Sequence, residues 1–234
     1  MSRRALAALF IGALLPLLVA TLPLRLAVAG DALAGLGVNA IEATGSIWSG
    51  RLRAATWRGH PQGDVAVSLR PLSLLAGVRR LRLSTPALSL DLLRGRRSGF
   101  EHASGRLELP LGAPLAGTLA LSLDDARLVF GDGICRQAGG RIEAEFTAEG
   151  LPGPLRLAGS PACDDGRGRI LLSTQPGPGA LPVEAGITID AQGRYQVRSL
   201  VRTTDDAFAQ ALGNAGFQPT PEGMARVQRG RLRH

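Results

Sequence analysis

The chain has 234 residues, room for one membrane-spanning segment and one or two small domains. Aromatics make up only 4% while Gly reaches 31 and Pro 15, so the core must be built from Leu, Val, Ile and Ala on short, frequently turned strands rather than long helices. The net charge is +8 and all 27 basic residues are Arg; scattered along alternating segments, with no basic helix and almost no aromatics to stack on bases, they argue against nucleic acid and for a solvated sheet face.

Residues 5–24 carry no charge. Twenty residues at helical rise span about 30 Å, the thickness of a hydrocarbon core. Arg3 and Arg4 precede the run, which holds the N-terminus in the cytoplasm and sends the rest outward. Arg25 would snorkel at the far interface, and Pro16 and Pro23 would kink a helix that membranes tolerate kinked. The rival is a cleavable signal peptide ending at Ala27-Val28-Ala29. The apolar run is too long for that reading and Arg25 intrudes before the cleavage site, so an uncleaved single-pass anchor is expected. Either reading exports residues 31–234.

Next comes Gly45-Ser46-Ile47-Trp48-Ser49-Gly50-Arg51-Leu52, a tryptophan between glycines in an alternating region. Packing of Trp48 in a sheet, with Gly45 and Gly50 allowing a bulge or close backbone approach, is one reading; an exposed edge that receives a partner strand is the other. From Asp64 to Arg70 large apolar residues alternate with polar or small ones, as a half-buried strand requires. Residues 71–76 suit a short helical turn opened by Pro71. Arg79, Arg80 and Arg82 follow, a candidate contact for anionic lipid or an acidic partner, as are the tail arginines Arg226, Arg229, Arg231 and Arg233.

The period of two continues through Leu107, Leu109 and Leu111, then Leu119, Leu121 and Leu123, then Ile142, Ala144 and Phe146, and again at Ile187 and Ile189. One apolar and one wet face per segment is the mark of antiparallel sheet covered on one side. Asp132-Gly133, Gly139-Gly140 and Asp164-Asp165-Gly166 supply reversals, and residues 175–180 are expected to be an exposed loop. Gly112-Ala113-Pro114 suggests a division, giving segments 1–30 (stub and anchor), 31–112 and 113–234. A last helix is expected over residues 204–212, with Thr204 as cap, Asp205 and Asp206 at the positive end of its dipole, and Phe208, Ala211 and Leu212 on one face. The fold class is mainly β: an elongated or sandwich-like antiparallel sheet behind the anchor, with a short C-terminal helix.

Only two cysteines occur, Cys135 and Cys163, and an even pair in an exported chain is most simply a disulfide. Companion ligands at zinc spacing are missing. His60, His102 and His234 stand apart and read as surface residues. Asp124-Asp125 would point to opposite faces of a strand, while Asp164-Asp165 and Asp205-Asp206 read as turn and helix-start chemistry. No catalytic, cofactor-binding or metal-ligating constellation is legible, and no cofactor is expected.

Four features together resemble the type II secretion system protein N family: the single N-terminal anchor; Gly45-x-x-Trp48-x-Gly50-x-Leu52; Cys135-x-x-Ala138-x-Gly140-x-Ile142 with Leu157-x-Gly159 and Cys163-x-Asp165-Gly166; and Ala211-Leu212, Gly216-Phe217 and Gly230-x-Leu232 near the end. The resemblance implies a non-catalytic inner-membrane accessory subunit with its bulk in the periplasm, contacting other inner-membrane subunits of the secretion apparatus and the outer-membrane secretin. The Cys135–Cys163 pair would be the disulfide carried over. A different class, a periplasmic lipid-handling protein of the AsmA or lipopolysaccharide-export type, is the alternative, because a lipid groove and a closed core both write Leu on one sheet face.

Overall fold

The computed structural model describes Pro23 and residues 38–57, 60–112, 116–148, 153–175 and 181–232. In chain order these form β1 (Val38–Asn39), β2 (Glu42–Gly45), β3 (Gly50–Trp57), β4 (His60–Leu69), α1 (Pro71–Leu75), β5 (Val78–Ser84), β6 (Leu88–Gly95), β7 (Arg97–Leu111) and β8 (Gly117–Gly131). There follow β9 (Ile134–Thr147), β10 (Leu155–Asp164), β11 (Arg167–Thr174), β12 (Val183–Ile189), β13 (Arg194–Val201), α2 (Asp206–Asn214), β14 (Gln218–Thr220) and β15 (Gly223–Arg231). The chain gathers into two compact units, one up to Thr85 and one from Pro86 onward. The break expected at 112–114 instead falls between β7 and β8, which pair with each other from Arg97↔Gly131 to Leu111↔Gly117, inside the second unit.

The anchor expected over residues 5–24 and the alternative cleavage site lie outside the described residues, except that Pro23 makes an isolated antiparallel bridge to Ser46. Among the described residues no helix is long and apolar enough to cross a membrane. The loop expected at 175–180 likewise lies outside them beyond Gln175.

In the first unit β3 is flanked by β1 and β2 on one side and β4 on the other, and β5 pairs with β4. Alternation decides its core: Leu52 and Ala55 of β3 and Val65 and Val67 of β4 are buried together, with Leu81 and Leu83 of β5 packed against them. The intervening Arg51, Arg53, Asp64 and Ala66 are exposed. Ala54 sits at a bulge with φ of 47°, and the Asp64 carboxylate accepts its N–H. Pro71 opens α1, where its missing N–H is no loss.

The second unit is a single antiparallel meander. From β6 to β13 each strand pairs with the next in sequence, and β15 then pairs with β13 while β14 caps part of its other side. The sandwich alternative does not hold here, because these strands form one continuous ladder and not two stacked sheets. One face of the meander is apolar. Ile142, Ala144, Leu157, Leu172, Val183 and Val201 are buried in one cluster, and Leu119, Leu121, Leu123 and Ile170 pack against it. The helix α2 closes one end with Leu212 and Phe208. Ala211 is exposed, so the helix's apolar face is narrower than expected. Its cap is Asp205, whose carboxylate accepts the Phe208 N–H at 3.1 Å; Thr204 lies one residue too early for that bond.

The long strands β7, β8 and β9 do not run straight. Register shifts fall between Phe100 and Gly105 on β7 and between Asp124 and Arg127 on β8. His102 and Asp125 take left-handed φ of 51° and 43°, and Gly140 on β9 takes 83°. Bulges on three neighbouring strands at one level bend and twist the sheet there, which turns its apolar face in on itself.

Candidate functional site

At one end of the second unit lies a concave surface of about 590 Å³ lined by Glu101, His102, Arg127, Arg136, Gln137, Ala138 and Cys163. Cys163 lines it as one half of the disulfide: Cys135 and Cys163 are bonded, with Cα atoms 5.5 Å apart. The β9–β10 ladder is regular from Phe146↔Leu155 to Ile142↔Gly159 and stops there. The disulfide spans the two strands past that point, and the Cys135 N–H donates to Gly166 O at 2.7 Å, pinning the Asp132-Gly133 turn beside the Asp165-Gly166 turn. Gly159, part of the sequence motif, is required because an added Cβ would fall on the carbonyl of Leu171.

The bulge residues form a network at the mouth of this surface. His102 Nδ1 lies 2.9 Å from Asp125 Oδ1, Arg127 donates to Asp125 Oδ2 at 2.9 Å, and Ser104 Oγ accepts the Asp125 N–H at 3.0 Å. Arg127 lies flat over Gly139, where a Cβ would meet its guanidinium. Beside them Arg97 bridges Gln137 and the buried Glu101, while Arg136 pairs with the exposed Asp132 at the turn. Each arginine thus has its own acceptor, and the network staples the bend. Sequence reading placed His102 as an isolated surface residue and Asp125 on a regular strand. His and Asp enter left-handed backbone more readily than most residues, but that tolerance does not mark where along a strand it is used, so their meeting could not be read from residue type.

The Gly45–Gly50 motif is a turn, not a strand edge. Gly45 and Gly50 pair across β2 and β3, and Ser46 and Ser49 close the loop through reciprocal N–H···O bonds of 3.1 and 3.2 Å. Gly45 has φ of 87°, and a Cβ there would lie 2.6 Å from Ser49 O. Trp48 stands half-buried at this tip, and Ile47 O takes the Leu69 N–H at 3.1 Å, tying the tip to the end of β4. On β5, alternation puts Arg80 and Arg82 on the face opposite Leu81 and Leu83, while Arg79 shares the leucine side at the strand's exposed start. The three arginines therefore do not make one patch.

Elsewhere the wet face is laced with exposed pairs: Arg156–Glu145, Arg169–Asp164, Arg198–Glu222 and Arg202–Glu184. Such pairs contribute about 0–1 kcal/mol each and serve mostly solubility. Among the described residues no group of His, Cys, Asp or Glu could hold a metal ion.

The family model described as type II secretion system (T2SS), protein N, matches residues 36–228, and with them the turn at Trp48, both cysteines and the helix α2. No curated protein and no solved structure matches the chain.

Proposed function

The chain belongs to the type II secretion system protein N family, and from that membership we propose that it is a non-catalytic inner-membrane accessory subunit of the apparatus that carries folded proteins from the periplasm across the outer membrane. The family match over residues 36–228 carries the reading. Residues 5–24 act as its single anchor with the N-terminus in the cytoplasm, leaving the β units in the oxidising periplasm where Cys135 and Cys163 pair. Strand-rich units on which many, though not all, surface arginines pair with carboxylates suit docking against other subunits better than turnover of a substrate.

Contacts run to other inner-membrane subunits of the machine and toward the secretin. The Trp48 turn and the exposed Arg79 are the contact points proposed in the first unit, with Gly45 and Gly50 shaping the turn and Arg80 and Arg82 on the other face of β5. Photo-cross-linking in intact cells tests this, with a photoreactive residue in place of Trp48 or Arg79. Cross-links to platform subunits, together with reduced secretion of the system's cargo in a deletion strain, are expected. Unchanged secretion with no such cross-link sinks the reading, and stoichiometric phospholipid on the purified chain would move it to the lipid-handling alternative.

A further inference from the structure

The meander of the second unit ends on β15, and β14 covers only its first residues, Gly223 to Ala225. The remainder of β15 pairs with β13 alone. Backbone groups along a strand point alternately to either side. Leu232 donates its N–H to Gly193 O at 2.8 Å on the β13 side, so the even-numbered residues of β15 turn toward β13 and the odd-numbered ones away. Ala225 spends its outward groups on Gln218 of β14. Val227, Arg229 and Arg231 present theirs to solvent, and Val227 is 49% exposed. Arg226 is held by the segment after α2, donating to Ala215 O at 2.9 Å; beyond it, over the roughly 15 Å from Val227 to Arg231, β13 is the one strand that pairs with β15 among the described residues.

The side chains on the edge have a sign. Arg229 and Arg231 project on one face, and across the ladder Arg231 lies opposite Arg194. Arg194 is paired with Asp190, and Arg229 reaches only the neutral Gln196 at 3.2 Å. Unlike the arginines of the neighbouring wet face, neither Arg229 nor Arg231 meets a carboxylate among the described residues. A second copy of this chain adding antiparallel to β15 would bring arginine against arginine, which like-charge pairing on adjacent strands disfavours. An acidic strand would satisfy both the open backbone and the unpaired guanidinium groups at once.

We propose that the Val227–Arg231 edge of β15 is a strand-addition site for an extended acidic segment of another polypeptide. The same arginines that keep this edge from joining copies of itself select that partner. The inference goes beyond the secretion role and stands whichever machine the chain serves.

The test uses the full chain in detergent and a fluorescent peptide of alternating Thr and Glu, with an alternating Thr and Lys peptide as control. Anisotropy is expected to report salt-sensitive binding of the Glu peptide and none of the Lys peptide. Hydrogen exchange is expected to show the amides of Val227, Arg229 and Arg231 exchanging fast in the free chain and protected in the complex. Val227→Pro removes one outward N–H without touching the β13 ladder, and is expected to weaken binding about tenfold or more. Arg229→Glu with Arg231→Glu is expected to transfer preference to the Lys peptide. The proposal is overturned if the Glu peptide does not bind, if protection appears on another strand, or if a Val227→Pro chain with its disulfide and far-UV spectrum intact binds as wild type does. It is equally overturned if β15 proves to mediate a dimer of the chain.

Discussion

At the scale of single residues, two side-chain groups fix the ends of hairpins by different physics. The disulfide acts on the unfolded chain: closing the 28-residue separation between Cys135 and Cys163 stabilises the fold by roughly 3–4 kcal/mol in the chain-entropy model. Replacing both cysteines by serine is expected to lower the free energy of unfolding by that amount in urea titrations, and adding a reductant to the wild-type chain should reproduce most of the loss. Asp190 acts on the folded chain. Burial works against its charge, but the Arg194 guanidinium and the N–H groups of Arg194 and Gln192 outweigh burial and hold its carboxyl below the usual carboxylate range. A depressed folded-state pKa means stability that is complete above the ordinary carboxylate value and is lost as pH falls through the depressed one. Asp190→Asn should therefore lower Tm at neutral pH, and the gap from wild type should close on acidification below the normal carboxylate range. A gap that persists at the acid end would show that the hairpin depends on the shape of Asp190 and not on its charge.

At the scale of elements, the strands were legible because burial imposes a period of two that few other structures share. Leu107 and Leu109 do meet Leu121 and Leu119 across β7 and β8, and Ile142 and Ala144 do enter the core. What stayed hidden has equally physical causes. The bulges rest on left-handed His102 and Asp125, types that tolerate that backbone better than most but do not mark where a strand will bulge. Turn residues look the same whether they close a hairpin or separate units, so Gly112-Ala113-Pro114 suggested a boundary while the change of unit falls at Thr85 and Pro86. Of the glycines flanking Trp48, Gly45 is a place of close backbone approach, and the two pair at the mouth of a turn and not in mid-strand. Helix α2 is legible from its pattern but its cap is ambiguous by one residue, since Thr204 and Asp205 both offer a capping oxygen and Asp205 is the one used. Asp205→Ala is expected to cost about 1 kcal/mol, and Leu212→Ala about 2–5 kcal/mol because it opens a cavity where the helix closes the apolar face. Equilibrium unfolding of each variant separates the two. Thr204→Ala, by contrast, should stay close to wild type.

At the scale of the whole molecule the open question is what fills the apolar face of the second unit. A flat single-layer sheet would leave that face to water or to acyl chains. Here Ile142, Leu157, Leu172 and Val183 retain only 6–8% exposure. The row of bulges bends the long strands so that their apolar side chains cover one another, and α2 with Phe217 seals the end. Curvature that fills the face with its own side chains supports a packed core over a lipid groove, and the two differ in how they respond to truncation. In a packed core, Ile142→Ala and Leu172→Ala each leave a cavity and are expected to lower unfolding free energy by about 2–5 kcal/mol. In a groove the same changes would remove side chains that face lipid, leaving stability nearly intact while reducing the phospholipid that co-purifies. Urea unfolding and lipid mass spectrometry on the same preparations therefore give opposite patterns. Large losses of stability with no stoichiometric lipid before or after substitution are the outcome that the burial of these residues demands.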